Sequence, residues 1–338
     1  MSEEALDAEV EAVMALGKVS NYKITAYLGK GACGYVFKGE QEGLGIPVAI
    51  KVLKSDFVVD DEKAARFVKE AQASANLIHP NIVRVYDFGL ENDLVYYVME
   101  YAPCGTLKDR LDKDFRLSEA DAIDVGLDIC KALIEAESKG IVHRDIKPDN
   151  IMLSENGSYK LVDLGLAKDL NNDVTRVGEL TVKFSGLGTP AFMAPEQAVN
   201  AKGVDNRADI YSLGIVLYQA ATGLLPFNSG NIRDLFRMHA EVIPLAPNMK
   251  NRSLSPAFSE IALRALSKLA SQRYQTAREF YNALLYLKEN PQRATQAATE
   301  REVLKTEKKA RGPYLLVAAL LLLVVLLLVI LIVNIEKF

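Results

Sequence analysis

Residues 143 to 150 read HRDIKPDN, a dense polar stretch set between the apolar runs DICKALI and IML. Charges this close together usually belong to a solvated loop, and the surroundings decide whether they do more here. Upstream, GKGACGYV places Gly29, Gly31 and Gly34 in a G-x-G-x-x-G-x-V pattern closed by Val36. Glycines at that spacing let two strands turn tightly while backbone N–H groups approach phosphate oxygens with no Cβ in the way. A strand follows rather than a helix, which separates the pattern from a dinucleotide-binding turn; alone, it also fits a plain Gly-rich hairpin. About a strand later, Lys51 closes VAIK within the apolar run VAIKVL. A surface lysine with its stem laid on apolar neighbours is the alternative. Behind a glycine loop, the expectation is an ammonium that reaches α- and β-phosphates, and it needs a carboxylate to hold it. Glu70, in RFVKEAQ, lies on the edge of a helical apolar stripe and is expected to supply one. Glu62 is the rival, but it stands at the helix start, where an acid simply suits the dipole.

His143, Arg144, Asp145 and Asn150 match H-R-D-x-x-x-x-N; the strand-like SYKLV then leads into DLG at Asp163 to Gly165, and APE follows at Ala194 to Glu196. With these motifs in this order the chain resembles a protein kinase, specifically the eukaryotic-type (Hanks-type) serine/threonine kinases of bacteria, over residues 22 to about 290. The resemblance implies an α+β, two-lobed fold: a small β-rich N-lobe (22–101) and a larger α-helical C-lobe (104–290). It also implies transfer of the ATP γ-phosphoryl group to Ser/Thr hydroxyls of proteins. Asp145 would accept the proton of the substrate hydroxyl, and Lys147 would offset charge on the transferring group. Asn150 and Asp163 would hold Mg²⁺, with Mn²⁺ as the alternative, because hard cations take oxygen ligands. The nucleotide-binding positions would be Leu28, Gly29, Gly31, Gly34, Val36, Ala49, Lys51, Glu70, Met99, Glu100 and Ala102, with Met99 as gatekeeper and Glu100 to Ala102 as the hinge whose backbone reads adenine.

The same resemblance puts Thr189, in GLGTPAF, on the substrate side; with Lys147 it favours Ser/Thr over Tyr substrates. Glu196 would pair with Arg273, and Asp209 in DIYSLG would prop the catalytic loop. DLG replaces the usual D-F-G, with Leu164 keeping an apolar anchor. Arg144, next to the base, implies a switch by phosphate in the activation segment. Thr181 is the first choice there, Thr175 and Ser185 the others, with one copy of the kinase phosphorylating another. A nucleotide-binding pseudokinase scaffold is the alternative, and the retained Lys51, Asp145, Asn150 and Asp163 argue against it. Cys33 and Cys104 fall near the expected cleft and read as inert small residues.

These groups need a frame. YKITAYLG, GYVFKGEQ, PVAIKVL, IVRVYDFGLEN and LVYYVMEY have the β-branched, Gly-punctuated character of strands. DDEKAARFVKEAQASANLI carries a helical stripe between them. Beyond residue 104 the periodicity becomes helical. Ser118 with Asp121 suggests a capping box opening a helix that closes at Gly140, and DNRADIYSLGIVLYQAATG, SPAFSEIALRALSKLA and TAREFYNALLYLKEN follow. Residues 1–20 read as an acidic amphipathic extension, with Leu6, Val10, Val13 and Met14 at helical spacing; a docking helix and a frayed end fit equally. Residues 291–313 are polar without a core pattern and read as a juxtamembrane linker.

Composition narrows the setting. A net charge of −4 over 338 residues gives no footprint for nucleic acid. Three cysteines without a CxxC pair argue against a disulfide framework or zinc site and fit a reducing compartment. No apolar signal-peptide core stands in the acidic N-terminal stretch. Tyr314 to Val333 is uncharged; about 20 such residues cross a ~30 Å hydrocarbon core as one helix. Arg301, Lys305, Lys308, Lys309 and Arg311 precede this stretch and only Lys337 follows it, so the expectation is a single-pass anchor in a lipid bilayer with the large N-terminal part cytoplasmic. The bacterial resemblance makes the inner cell membrane the expected one.

Overall fold

The computed structural model describes residues 3–31, 34–53, 75–91, 94–163, 190–199 and 203–301. Six strands form one antiparallel sheet: β1 (Lys18–Val19), β2 (Tyr22–Lys30), β3 (Gly34–Gln41), β4 (Ile46–Leu53), β5 (Val85–Glu91) and β6 (Leu94–Glu100), in the order β1-β2-β3-β4-β6-β5. The strands expected from the sequence are present. The expected helix after them falls almost wholly outside the described residues, as does Glu70.

The central strands are apolar on both faces, so each face needs a cover. Val48, Ile50 and Val52 of β4 join Tyr35, Phe37, Tyr96 and Val98 on the outer face. The cover there is α1 (Glu3–Leu16), which buries Val13 and packs Val10 and Met14 against that cluster. The N-terminal extension is thus a docked helix. On the inner face Ala49 and Leu53 meet Val83, Val95, Tyr97, Met99 and, from the second lobe, Val162. Lys51 lies between Ala49 and Leu53 in the alternation and points into this layer, only 3% exposed.

The second lobe is helical: α2 (Leu107–Asp114), α3 (Glu119–Ser138), α4 (Pro195–Val199), α5 (Arg207–Thr222), α6 (Ile232–Glu241), α7 (Pro256–Ala265) and α8 (Ala277–Glu289), with the hairpin β7 (Ile151–Leu153) and β8 (Tyr159–Leu161). Helix α5 is buried almost all round, the pattern of a helix at the centre of a large core. It stops at Gly223, φ 76°, whose left-handed turn frees the chain from the helix. At α3 the expected capping box is half formed. Ser118 caps Asp121 N, but the Asp121 carboxylate turns to Ser118 Oγ and Arg110. The complete box is at α2, where Thr106 and Asp109 cap one another.

The linker reading of 291–313 needs correction at its start. Residues 291–301 are helical, and Ala294 and Ala298 are buried in the lobe core. Only one small side chain per turn faces inward, so the stretch carries no visible apolar stripe. Among the described residues no helix is long and apolar enough to cross a membrane; residues 314–333 lie outside them.

His239 of α6 is 1% exposed, with Nδ1 against the Tyr211 hydroxyl at 2.9 Å and the ring edge-on to Phe227. Lys268 stands beside it, donating to the carbonyls of Met238 and His239. Burial, aided by the Lys268 charge, pushes the His239 pKa down to about 4. An unfolded His titrates near 6.5, so between these values only the unfolded chain takes up the proton. Stability from this residue is therefore intact above pH 6.5 and falls as pH drops towards 4, by ~3 kcal/mol at the lower end. Denaturant unfolding at pH 7 and pH 4.5 should show a larger acid loss in the wild type than in His239→Gln. Equal losses would remove His239 as the cause.

Candidate active site

The site begins with backbone that must be held in an unfavourable shape. Arg144 has φ 65°, a left-handed conformation that a non-glycine residue adopts only when its neighbours impose it. Asp209, near the start of α5, imposes it: its two carboxylate oxygens accept from His143 N and Arg144 N, both at 2.7 Å. Burial raises the Asp209 pKa, while His143, Arg144 and their amides pull against that rise. Gln197 of α4 adds a third support, donating to the Arg144 carbonyl at 3.1 Å while accepting from Ala194 N. These contacts join Asp209 to the backbone just before Asp145.

His143 is fully buried and ties this loop to the other chemical strand end. Asp145 N donates to His143 Nδ1 at 3.2 Å, which leaves the ring proton on Nε2, 3.2 Å from the Val162 carbonyl. In the sequence His143 is only one letter of a motif; in the structure it couples Asp145 to the residue before Asp163.

Asp145 itself is gripped on one oxygen. Lys147 Nζ reaches Oδ2 at 2.8 Å, and Asn150 Nδ2 reaches the same oxygen at 3.1 Å and the Asp145 carbonyl at 2.8 Å. With its amide nitrogen so engaged, Asn150 keeps its oxygen for another partner. Val162 N donates to the Asn150 carbonyl at 2.9 Å, bringing the start of the DLG segment alongside Asn150. An amide oxygen and a carboxylate on adjoining backbone are a donor set suited to Mg²⁺, which is held by one or two protein ligands together with substrate phosphates. Among the described residues there is no cluster of three or more His, Cys, Asp or Glu that could hold a metal by itself.

Asp163, at φ 53°, faces the sheet. Lys51 Nζ lies 2.7 Å from its Oδ2, and Tyr97 Oη donates to its Oδ1 at 2.8 Å. Burial works to raise the Asp163 pKa, but the Lys51 ammonium and the two hydrogen bonds outweigh it and hold the carboxyl below its usual range. Lys51 and Asp163 are therefore joined across the lobes. Glu70, the expected partner of Lys51, is outside the described residues. Tyr97 was missed, although its register gives it away: it sits directly opposite Lys51 in the β4–β6 ladder and so points to the same face.

The positions expected to line the cleft differ in exposure. Ala49 and Met99 are buried and Val36 is partly so, while Leu28 remains exposed. Ala102 is buried in the hinge, and among the described residues no hydrogen bond uses its N–H, a donor suited to an adenine edge. The hinge is pinned from both sides, Glu100 N donating to the Arg84 carbonyl and the Glu100 carboxylate meeting Lys160 of β8 at 2.5 Å. A Cβ on Gly34 would meet the Val52 carbonyl at 2.3 Å, so this glycine is required by packing on β4. Gly31 N donates to the Gly34 carbonyl and closes the turn; Cys33 is outside the described residues.

Glu196 and Arg273 form the expected pair, at 2.6 and 2.8 Å. Arg144 places one guanidinium N–H on the Val204 carbonyl. Its proposed phosphate partners Thr175, Thr181 and Ser185, and the substrate-side Thr189, fall outside the described residues. Cys104 is exposed, and burial pushes the Cys130 thiol up, away from reactivity.

Comparison with known proteins gives the same direction. Relatives include a protein of Clostridium perfringens named a probable serine/threonine-protein kinase, 36% identical over 280 residues, 82% of this chain and 40% of the relative. Serine/threonine-protein kinase PknB of Mycobacterium tuberculosis is 37% identical over 265 residues, 76% of this chain and 41% of the relative. Serine/threonine-protein kinase pkn3 of Myxococcus xanthus is 36% identical over 271 residues, 77% of this chain and 48% of the relative. The matches thus span less than half the length of these relatives. The profile of the protein kinase domain matches residues 22–304, starting at β2 and taking in the helical stretch that the sequence had assigned to a linker. Two lobes, an ion pair across them and a braced catalytic loop agree with that match: the chain belongs to the protein kinase domain family.

Proposed function

We propose that the chain is a membrane-anchored serine/threonine protein kinase that transfers the ATP γ-phosphoryl group to protein hydroxyls and phosphorylates its own activation segment. The observation that carries the reading is the Asp145 carboxylate, fixed by Lys147 and Asn150 on a loop braced against Asp209. Asp145 orients the incoming Ser or Thr hydroxyl and takes its proton as the new O–P bond forms and the bond to the β-phosphate oxygen breaks. Lys147, already on Asp145, is placed to offset negative charge on the group in transit. Lys51 turns from Asp163 to the nucleotide phosphates, and Ala102 offers its N–H to the base. Mg²⁺, held by Asn150 and Asp163, would neutralise the phosphate oxygens when bound.

Support for Ser/Thr specificity comes from Lys147 and from the names of the relatives. Support for the anchor is the uncharged stretch Tyr314–Val333 with its basic N-terminal flank. By that flank the kinase domain faces the cytoplasm, and the bacterial likeness favours the inner membrane.

One experiment addresses both parts. The full chain and a form ending at residue 313 are incubated with Mg·ATP and a generic basic protein, beside Lys51→Met. Phosphoserine or phosphothreonine on the added protein, and phosphate at Thr181, Thr175 or Ser185, are expected with wild-type Lys51 and not with Lys51→Met. The full chain should sediment with membranes and the shortened form should not. Absence of transfer would sink the kinase reading; equal sedimentation would sink the anchor.

A further inference from the structure

Among the groups around Asp163, Tyr97 has no part in the scheme above. Its ring is 2% exposed and lines a small cavity with Val83, Val85, Met99 and Leu161 beside Asp163. The Lys51 ammonium lies 5.5 Å from the ring centroid. Packing explains the ring and leaves the hydroxyl unexplained, because a Phe would fill this apolar layer equally well. The hydroxyl donates to Asp163 Oδ1, at 2.8 Å, while Lys51 holds Oδ2.

These two contacts differ in what happens on nucleotide binding. Lys51 is expected to leave for the phosphates. Tyr97 is a donor on a rigid central strand and carries no charge to be drawn away. We propose that Tyr97 is a positioning residue for the divalent cation: its O–H keeps the Asp163 carboxylate oriented towards the metal once Lys51 has turned to the nucleotide. This rests on the kinase reading above. Ligating carboxylates are commonly held by such outer hydrogen bonds, and loss of one typically costs 10–100-fold in metal affinity or activity. Each carboxylate oxygen has two lone-pair sites, so the phenol and a cation can share Asp163.

The test is Tyr97→Phe in the full chain, read by fluorescence of an N-methylanthraniloyl-ADP probe titrated with Mg²⁺. The Mg²⁺ concentration at half-maximal nucleotide binding should rise about 10–100-fold. Probe binding in EDTA should match wild type, and kcat at saturating Mg²⁺ should stay within a few-fold. Tyr97→Met, which fills the space without the O–H, should show the same rise. An unchanged Mg²⁺ midpoint in Tyr97→Phe overturns the proposal. So does an equal loss of probe binding with and without Mg²⁺, or a rise in one variant alone, since either assigns the effect to packing. A wild type that binds no probe with Mg²⁺ fails the kinase reading itself, and the Tyr97 assignment falls with it.

Discussion

Asp145→Asn should fold like the wild type and transfer phosphate about 10²–10⁴-fold more slowly at saturating Mg·ATP. In barrier terms this is about 3–5 kcal/mol, at 1.36 kcal/mol per decade. The substitution keeps the shape of the side chain, so the contacts of Asn150 to the Asp145 carbonyl and of Asp145 N to His143 are untouched. What disappears is the acceptor for the hydroxyl proton and the negative charge facing Lys147. The Asp145 side chain is 30% exposed, so the stability change should be small beside the rate change. Turnover and thermal unfolding measured on one preparation separate the two. A variant whose kcat lies within a few-fold of wild type would exclude Asp145 as the base.

Arg273→Ala should be the most damaging change to stability, by about 3–5 kcal/mol. The side chain is wholly buried, and all five of its N–H donors are used: two on Glu196 and the others on the carbonyls of Ser267, Lys268 and Arg207. Its guanidinium also lies 4.8 Å from the Tyr211 ring centroid. Alanine leaves those carbonyls without a donor in a dry interior, the expensive half of breaking a buried pair. At about 2–4 °C per kcal/mol for a domain of this size, the melting temperature should fall by roughly 10 °C. Arg273→Lys keeps the charge but lacks the planar fork, so it should recover only part. The effect should reach turnover too, because Glu196 and Gln197 share α4 and Gln197 holds the Arg144 carbonyl. A loss below about 1 kcal/mol would mean that water or rearrangement replaces these bonds.

Groups tied to local patterns were readable in the sequence. Asp145, Lys147, Asn150 and Asp209 sit in short motifs; in the structure Lys147 and Asn150 meet on the Asp145 carboxylate, and Asp209 holds the backbone of His143 and Arg144 just before it. The strands were readable because alternation is a local property, and α5 because its apolar run is long and ends at Gly223. Partnerships made by tertiary folding were not. The contact of Lys51 with Asp163, 112 residues away, needs the lobes to close. Tyr97 looks like any β-strand aromatic until the register places it opposite Lys51. Residues 291–301 escaped because Ala294 and Ala298 bury too little apolar surface to signal a face.

The docked α1 has a practical consequence. The family match opens at residue 22, and a chain cut at that boundary would lose Val10, Val13 and Met14 from the apolar cluster that also holds Tyr22, Ile24, Phe37 and Ile50. The outer face of the sheet would then lose part of its apolar cover, and bare aromatic surface of that kind invites self-association. For this protein, the packed unit of the sheet starts ahead of the homology.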